Sequence, residues 1–264
     1  MNKEHLAAAE EAILYMKNHL DEEITSDQLA AHVGYSPFHF TRIFKSATGV
    51  SPRHYLSALR IEAGKMALLN ERSLLMKILL SIGFRSSGSF NTRFKQNVGI
   101  SPRKFRSISL PLTQYVRRFE HQELQMEASS DHSTSSRQLI RCHIQAPESF
   151  RGIIFVGLFP HPIPDQRPAA GTALNRRKRN CVFTQVPSGT YHVLAAGIPW
   201  SLNPRDYFVL THALRGKYPA AIEVSENTIL DVPILLREPL AVDPPIVINL
   251  PLLLFEQKEK NAAK

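Results

Sequence analysis

Three sets of side chains in this 264-residue chain have types and spacings suited to chemistry. The first lies in two short stretches: Phe38, His39, Thr41, Arg42 and Lys45, then Ser87, Gly88, Asn91, Thr92 and Lys95. An arginine can donate to guanine O6 and N7 together, and an asparagine can bond adenine in the same two-pronged way. Such residues on one helix face could therefore read base edges. The plainer roles are an acidic partner for Arg42, phosphate or solvent for Asn91, and packing for His39. The second set, Cys142, His143, Cys181 and His192, offers metal donors, but none of the close spacings of a zinc site occurs, and thiols in a core explain it better. The third, Arg176-Arg177-Lys178-Arg179, offers charge to an anionic ligand or is a solvated loop. Trp200, Tyr207, Phe208 and Tyr218 either line a pocket or fill a core. No Pro-Cys-His-Arg acceptor, nucleophile elbow, phosphate loop or HExxH is present, so the reading is of no catalytic residue, no metal site and no cofactor.

Charge sharpens the first set. The chain carries 32 basic and 23 acidic residues, a net of +9. Residues 1–35 hold 2 basic against 7 acidic, residues 36–110 hold 13 against 2, and residues 111–264 hold 17 against 14. One 75-residue block thus carries a net +11, more than the whole molecule, which fits a polyanionic partner such as double-stranded DNA. The start is polar, without a secretory pattern, and two cysteines cannot make a disulfide framework. The apolar run Ile246–Phe255 is broken by Asn249 and Pro251 and has about half the length of a membrane span. These features predict a cytoplasmic protein with no membrane partner.

The elements that must position these residues are legible in the pattern. Leu6, Ile13 and Leu20, with Ala9 and Met16 between, mark an amphipathic helix. Thr25 or Ser26 can cap a short helix ended by Gly34, and Pro37 suits the first turn of the next. Ser51-Pro52 opens a longer helix to about Leu69, with Tyr55, Leu59, Ala63, Met66 and Leu69 expected on one side. Short helices over Leu74–Ile82 and Ser87–Val98 follow, parted by Gly83, and Gly64 reads as a close-packing point. Residues 40–55 and 90–105 align at an offset of 50 with 7 of 16 positions identical, a duplicated helical unit. Each unit is a short helix, a glycine turn and a second helix, the layout of a helix-turn-helix. Phe40 and Phe44, like Phe90 and Phe94, are four residues apart and should be buried, with Tyr35 and Phe84 locking the helices and the opposite faces offering Phe38, Thr41, Arg42 and Lys45, then Ser87, Gly88, Asn91, Thr92 and Lys95. A joining helix of about 20 residues spans ~30 Å, close to the ~34 Å between successive major-groove faces.

Gly34-Tyr35-Ser36, Arg42-x-Phe44-Lys45-x3-Gly49-x-Ser51-Pro52-x2-Tyr55, Arg60, Ile78-x4-Gly83-Phe84-x-Ser86 and Phe94-Lys95-x3-Gly99-x-Ser101-Pro102-x2-Phe105-Arg106 resemble the AraC/XylS family of bacterial transcription regulators. The resemblance covers residues 5–107. It implies an all-α domain of about seven helices with two DNA-reading heads, acting at promoters and often touching RNA polymerase. By position it implies DNA contacts from Phe38, Thr41 and Arg42 in the first head, and from Ser87, Gly88, Asn91 and Thr92 in the second. Leu79 departs from the small alanine usual there, which Ala30 keeps in the first head. The second recognition helix has few long donors, so base readout is expected mainly from the first head and phosphate contacts from the second.

After Leu110 the pattern changes. Leu112, Tyr115, Val116 and Phe119 suggest one more helix, residues 128–136 a polar linker, and 15 of the 18 prolines follow residue 110. Strand-like runs at Leu139–Ile144, Ile153–Leu158, Val182–Val186, Tyr191–Ala196, Thr228–Leu236 and Ile246–Leu250 read as a β-sandwich. Phe183-x2-Val186-Pro187-x-Gly189-x-Tyr191 with Leu194-Ala195 resembles the transthyretin-like sandwich called carboxypeptidase regulatory-like. The expected organisation is multidomain, α then β: a double helix-turn-helix domain over 1–110, a helix and linker over 111–138, and a sandwich over 139–264 that senses a small-molecule effector or holds a partner. An enzyme fused to a DNA-binding domain, or a non-specific architectural DNA binder, are the alternatives. A chain cut at residue 128 is expected to keep DNA binding.

Overall fold

The computed structural model describes residues 2–70, 75–108, 114, 116, 138–175 and 178–262. The chain divides into two compact units, one of Met1–Ser107 with Leu240–Ile248, the other of Ile108–Pro239 with Asn249–Lys264.

The first unit is helical. Helix α1 (Lys3–Asn18) is capped by the Asn2 side chain, which accepts from the Glu4 N–H, and it buries Ala9, Ala12, Ile13 and Met16. Helix α2 (Ser26–His32) opens with a capping box: the Thr25 hydroxyl accepts from the Gln28 N–H, and the Gln28 side chain accepts from the Thr25 N–H at 2.8 Å. Helices α3 (Pro37–Thr48), α4 (Pro52–Asn70), α5 (Leu75–Ser81) and α6 (Ser87–Val98) follow. A further helix, α7, is described over 102–108. Ser51 and Ser101 cap α4 and α7 alike, each hydroxyl accepting at 3.3 Å from the N–H three residues on, with proline in the first turn where no donor is lost.

The sequence repeat is a repeat in space. Gly34 and Gly83 both have φ +75, and the next N–H donates at 2.9 Å to the Ala30 and Leu79 carbonyls respectively. Gly49 and Gly99 end α3 and α6 in the left-handed conformation that a side chain would disfavour. A ladder of rings fills each head: Phe40, Phe44 and Tyr55 in one, Phe90, Phe94 and Phe105 in the other, all buried. Leu79 and Ala30 are both fully buried, so the larger residue is accommodated. A Cβ on Gly64 would come within 3.0 Å of the Phe90 ring, which places α4 against α6.

The buried side of α4 differs from the expected stripe. Met66 is 44% exposed, while Leu56, Ala58, Ile61, Lys65 and Leu68 are buried beside Tyr55 and Leu59. Helix α4 meets neighbours on more than one side, so a single spacing rule misses half of its contacts.

The second unit is β-rich, with two sheets. Strands β4 (Asn180–Phe183), β1 (Leu139–Gln145) and β8 (Ile229–Leu235) form one, with β1 and β8 parallel. Strands β3 (Ala170–Leu174), β2 (Gly152–Phe159), β5 (Gly189–Pro199) and β6 (Leu214–Lys217) form the other, with β7 (Ile222–Val224) beside β5. Alternate residues of both sheets, including Ile140, Cys142, Val232, Ile154, Val156, Val193 and Ala195, join in one buried cluster. The expected strand at Ile246–Leu250 is not formed. Residues 246–248 are irregular, and Leu250–Ala262 is a helix, α8, whose start is capped by Asn249 accepting from the Leu252 N–H at 3.2 Å. A short apolar run fits a buried strand and other buried segments equally well, and Asn249 followed by Pro251 in the first turn is a helix-start signal that decides against the strand. The expected helix over 112–119 and linker over 128–136 lie outside the described residues, apart from Gln114 and Val116, which are helical. No described helix is long and apolar enough to cross a membrane.

Candidate nucleic-acid interface

With Phe40, Ile43 and Phe44 turned inward, α3 presents its opposite face to solvent. Phe38 is 83% exposed, and Arg42 and Lys45 are exposed beside it. Thr41 is half-buried, its hydroxyl donating to the Pro37 carbonyl at 2.9 Å, which leaves its methyl and oxygen lone pairs for a partner. His39 sits differently from the rest: half-buried, it stands edge-on to the rings of His5 and Tyr35, tying α3 to α1. On α6, Phe90, Phe94 and Val98 point inward, while Ser87, Gly88, Asn91, Thr92 and Lys95 are all exposed. Open space surrounds Gly88, so this face is flat and short of long donors.

A set of arginines braces the two heads. Arg60 of α4 donates from Nε to the Leu20 carbonyl at 3.0 Å and from Nη2 to that of Glu22 at 2.5 Å. Burial, then the nearby charge of Arg93, pulls its guanidinium below the usual range, while Asp21 and Glu23 oppose the shift. Gly83 lies against the same place: a Cβ there would come within 2.3 Å of the Leu20 oxygen and 2.8 Å of the Arg60 guanidinium. Arg93 reaches from α6 to the Ser57 hydroxyl on α4 at 3.1 Å, and Arg106 from α7 to the Leu68 carbonyl at 3.2 Å. The exposed Arg85–Glu23 pair adds little in open solvent. Arg60 and Arg106 stand in the motif that carries the family resemblance, but nothing in that motif says which carbonyls they hold, and Arg93 lies outside it.

Two helix pairs, α2 with α3 and α5 with α6, each with an apolar ring ladder inside and a polar second helix outside, thus flank α4. Residues 29–108 match the family model described as "Helix-turn-helix domain". The helical unit carries an AraC-type helix-turn-helix domain.

Similarity to known proteins is found over about the same length of chain. An uncharacterized HTH-type transcriptional regulator of Bacillus subtilis, YobQ, is 34% identical over 96 residues, covering 36% of this chain and 40% of the relative. The Transposon Tn10 TetD protein of Escherichia coli is 29% identical over 102 residues, covering 39% of this chain and 74% of that protein. A transcriptional regulator from Chromobacterium violaceum, described as having an AraC-type DNA-binding domain, has a solved structure with 27% identity and a TM-score of 0.37, covering 39% of this chain and 91% of its own. The chain spans less than half of the B. subtilis regulator's length.

Outside the AraC-type domain the other candidate sets part company. Cys142 and Cys181 face each other across β1 and β4, both buried as free thiols, and their mutual hydrogen bond, with burial behind it, pushes the Cys142 thiol far up. His143 lies on the exposed side of β1, beside Asn180 and Asp231, and His192 belongs to the other sheet. Among the described residues no three metal donors gather. Arg179 lies over the Phe150 ring, its charge centre 5.8 Å from the centroid, while Arg176 and Arg177 fall outside the described residues. Tyr207 and Phe208 are buried and Trp200 packs edge-on to Tyr207, a core arrangement.

Proposed function

We propose that this protein is a sequence-specific regulator of transcription whose two heads read adjacent major grooves of an asymmetric site in double-stranded DNA. The observation that carries the reading is the duplicated exposed face: α3 and α6 occupy equivalent places in two helix-turn-helix units, and α4, with 19 residues or about 28 Å of helix, joins those units. In this reading Arg42 bonds a guanine edge, Phe38 and the Thr41 methyl make apolar contact with a base, and Lys45 binds phosphate. In the second head Asn91 reads an adenine, while Ser87, Thr92, Lys95 and the Gly88 backbone hold phosphate. His39 acts through the position of α3.

The β unit, taken as a sandwich because both sheets feed one core, is the place for a small-molecule effector or a partner, while the helical unit at the promoter touches RNA polymerase. The regulator then works in the cytoplasm, on the nucleoid. Selection of binding sites from random duplex DNA by the full chain tests this. The expected result is one asymmetric motif with two readable segments separated by about one helical turn, ~10.5 bp. Salt-sensitive binding with no enriched motif would overturn it.

A further inference from the structure

We infer that residues 240–248 are a strap that positions the second head, acting on the joining helix through Lys65 and Tyr55; the inference rests on the two-head reading. These nine residues follow the β unit in sequence yet belong to the helical unit, and the chain re-enters the β unit at Asn249. Val242, Ile246, Val247 and Ile248 are buried, so the strap is part of that unit's core.

Two side chains of α4 hold it. Lys65 is wholly buried, on the stripe of Ala58, Ile61 and Leu68, and its ammonium donates to the Ile246 carbonyl at 3.1 Å and the Val247 carbonyl at 3.2 Å. A cation out of water is costly unless it is hydrogen-bonded, so these carbonyls are firm anchors for the strap. Tyr55 donates its hydroxyl to the Asp243 carbonyl at 2.9 Å. The repeat shows what that hydroxyl is for. Phe105 occupies the equivalent place in the second head, with the same 5.5 Å ring contact to Phe94 that Tyr55 makes to Phe44. Ring packing therefore needs no hydroxyl, and the one Tyr55 has is spent on the strap. The turn around Asp243 is closed by its carboxylate accepting from the Leu240 N–H at 2.8 Å. From Tyr55 to Lys65 the grip covers eleven residues of α4, a rise of about 15 Å. At its far end Ile248 lies 3.8 Å from where a Cβ on Gly99 would stand, beside the C-cap of α6. The strap thus spans the helix that sets the distance between heads and ends on the second head.

The test uses the full-length chain and two duplexes built from the selected site, one spanning both half-sites and one ending after the first. Wild type should prefer the longer duplex by ~10²-fold or more. Lys65→Met should reduce that preference about tenfold, with the affinity for the shorter duplex unchanged. Tyr55→Phe should reduce it by less, in the same direction, and carries the test if circular dichroism shows Lys65→Met unfolded. A merely structural role would lower both affinities alike and leave the ratio standing, which overturns the inference. A wild-type ratio near one would instead sink the two-head reading and the strap with it.

Discussion

In the first head the exposed face of α3 sets a guanidinium, an ammonium and a bare phenyl ring side by side, whereas the matching face of α6 offers an amide, small hydroxyls, one lysine and a glycine. Inside, the two heads are nearly the same: the same glycine turns, the same left-handed caps, the same three-ring ladder. The duplication kept what folds a head and let go of what the head touches. The bracing is uneven too. The Gly83 turn is wedged against Leu20 and Arg60, while the Gly34 turn has open space beside it. On the proposed reading, a second head that reads bases weakly but is held firmly in place would still add affinity through phosphate contacts.

Substitutions can sharpen or break that contrast. The largest effect is expected at the glycine turns. Gly34→Ala meets only the positive φ and should cost about 1 kcal/mol. Gly83→Ala meets the same strain plus a clash with the Leu20 carbonyl and should cost ~3 kcal/mol or more in urea unfolding; equal losses would mean the two turns are not differently packed. Arg42→Ala should weaken specific binding by about 1–3 kcal/mol and relax preference at one base position, with Asn91→Ala losing less. Equal losses from the two heads, measured by titration against the selected site, would break the asymmetry.

Capping gives a smaller contrast. The Ser86 hydroxyl accepts from the Ser89 N–H at 3.2 Å, but Ser36 makes no side-chain cap bond. Ser86→Ala should therefore cost about 1 kcal/mol and Ser36→Ala a few tenths, read again by urea unfolding. Smallest of all, Lys95→Ala should flatten the salt dependence of binding by about one unit of slope without changing the preferred sequence.

Much of the helical unit was legible because its signals are local. The Thr25 cap, the Ser51-Pro52 start, the glycine stops and the i, i+4 phenylalanines each act within a few residues, and the repeat doubled the glycine and phenylalanine signals. The exposed faces of α3 and α6 followed from the buried ones. His39 was harder, since its place depends on His5 and Tyr35 from elsewhere in the chain. The strap was invisible for the same reason: no pattern within 240–248 says that its carbonyls meet Lys65 and Tyr55 some 180 residues earlier. A lysine in register with Ile61 and Leu68, and a tyrosine where the repeat has phenylalanine, were the available hints. It also changes what a cut at residue 128 removes, because the missing part includes a piece of the helical unit. In the β unit the long strands were readable, while β3, β6 and β7 are brief and interrupted by glycine or charge, and so depend on pairing more than on pattern.

The central claim is that one chain holds two readers at a fixed distance of about one duplex turn. Affinity measured on selected sites with base pairs inserted between the half-sites tests it most directly. The second half-site's contribution should vanish at ~5 inserted pairs, where it faces the other side of the duplex, and stay lost at ~10, beyond the reach of a 19-residue joining helix. A contribution that persists at every spacing, or returns at the full turn, would contradict the account.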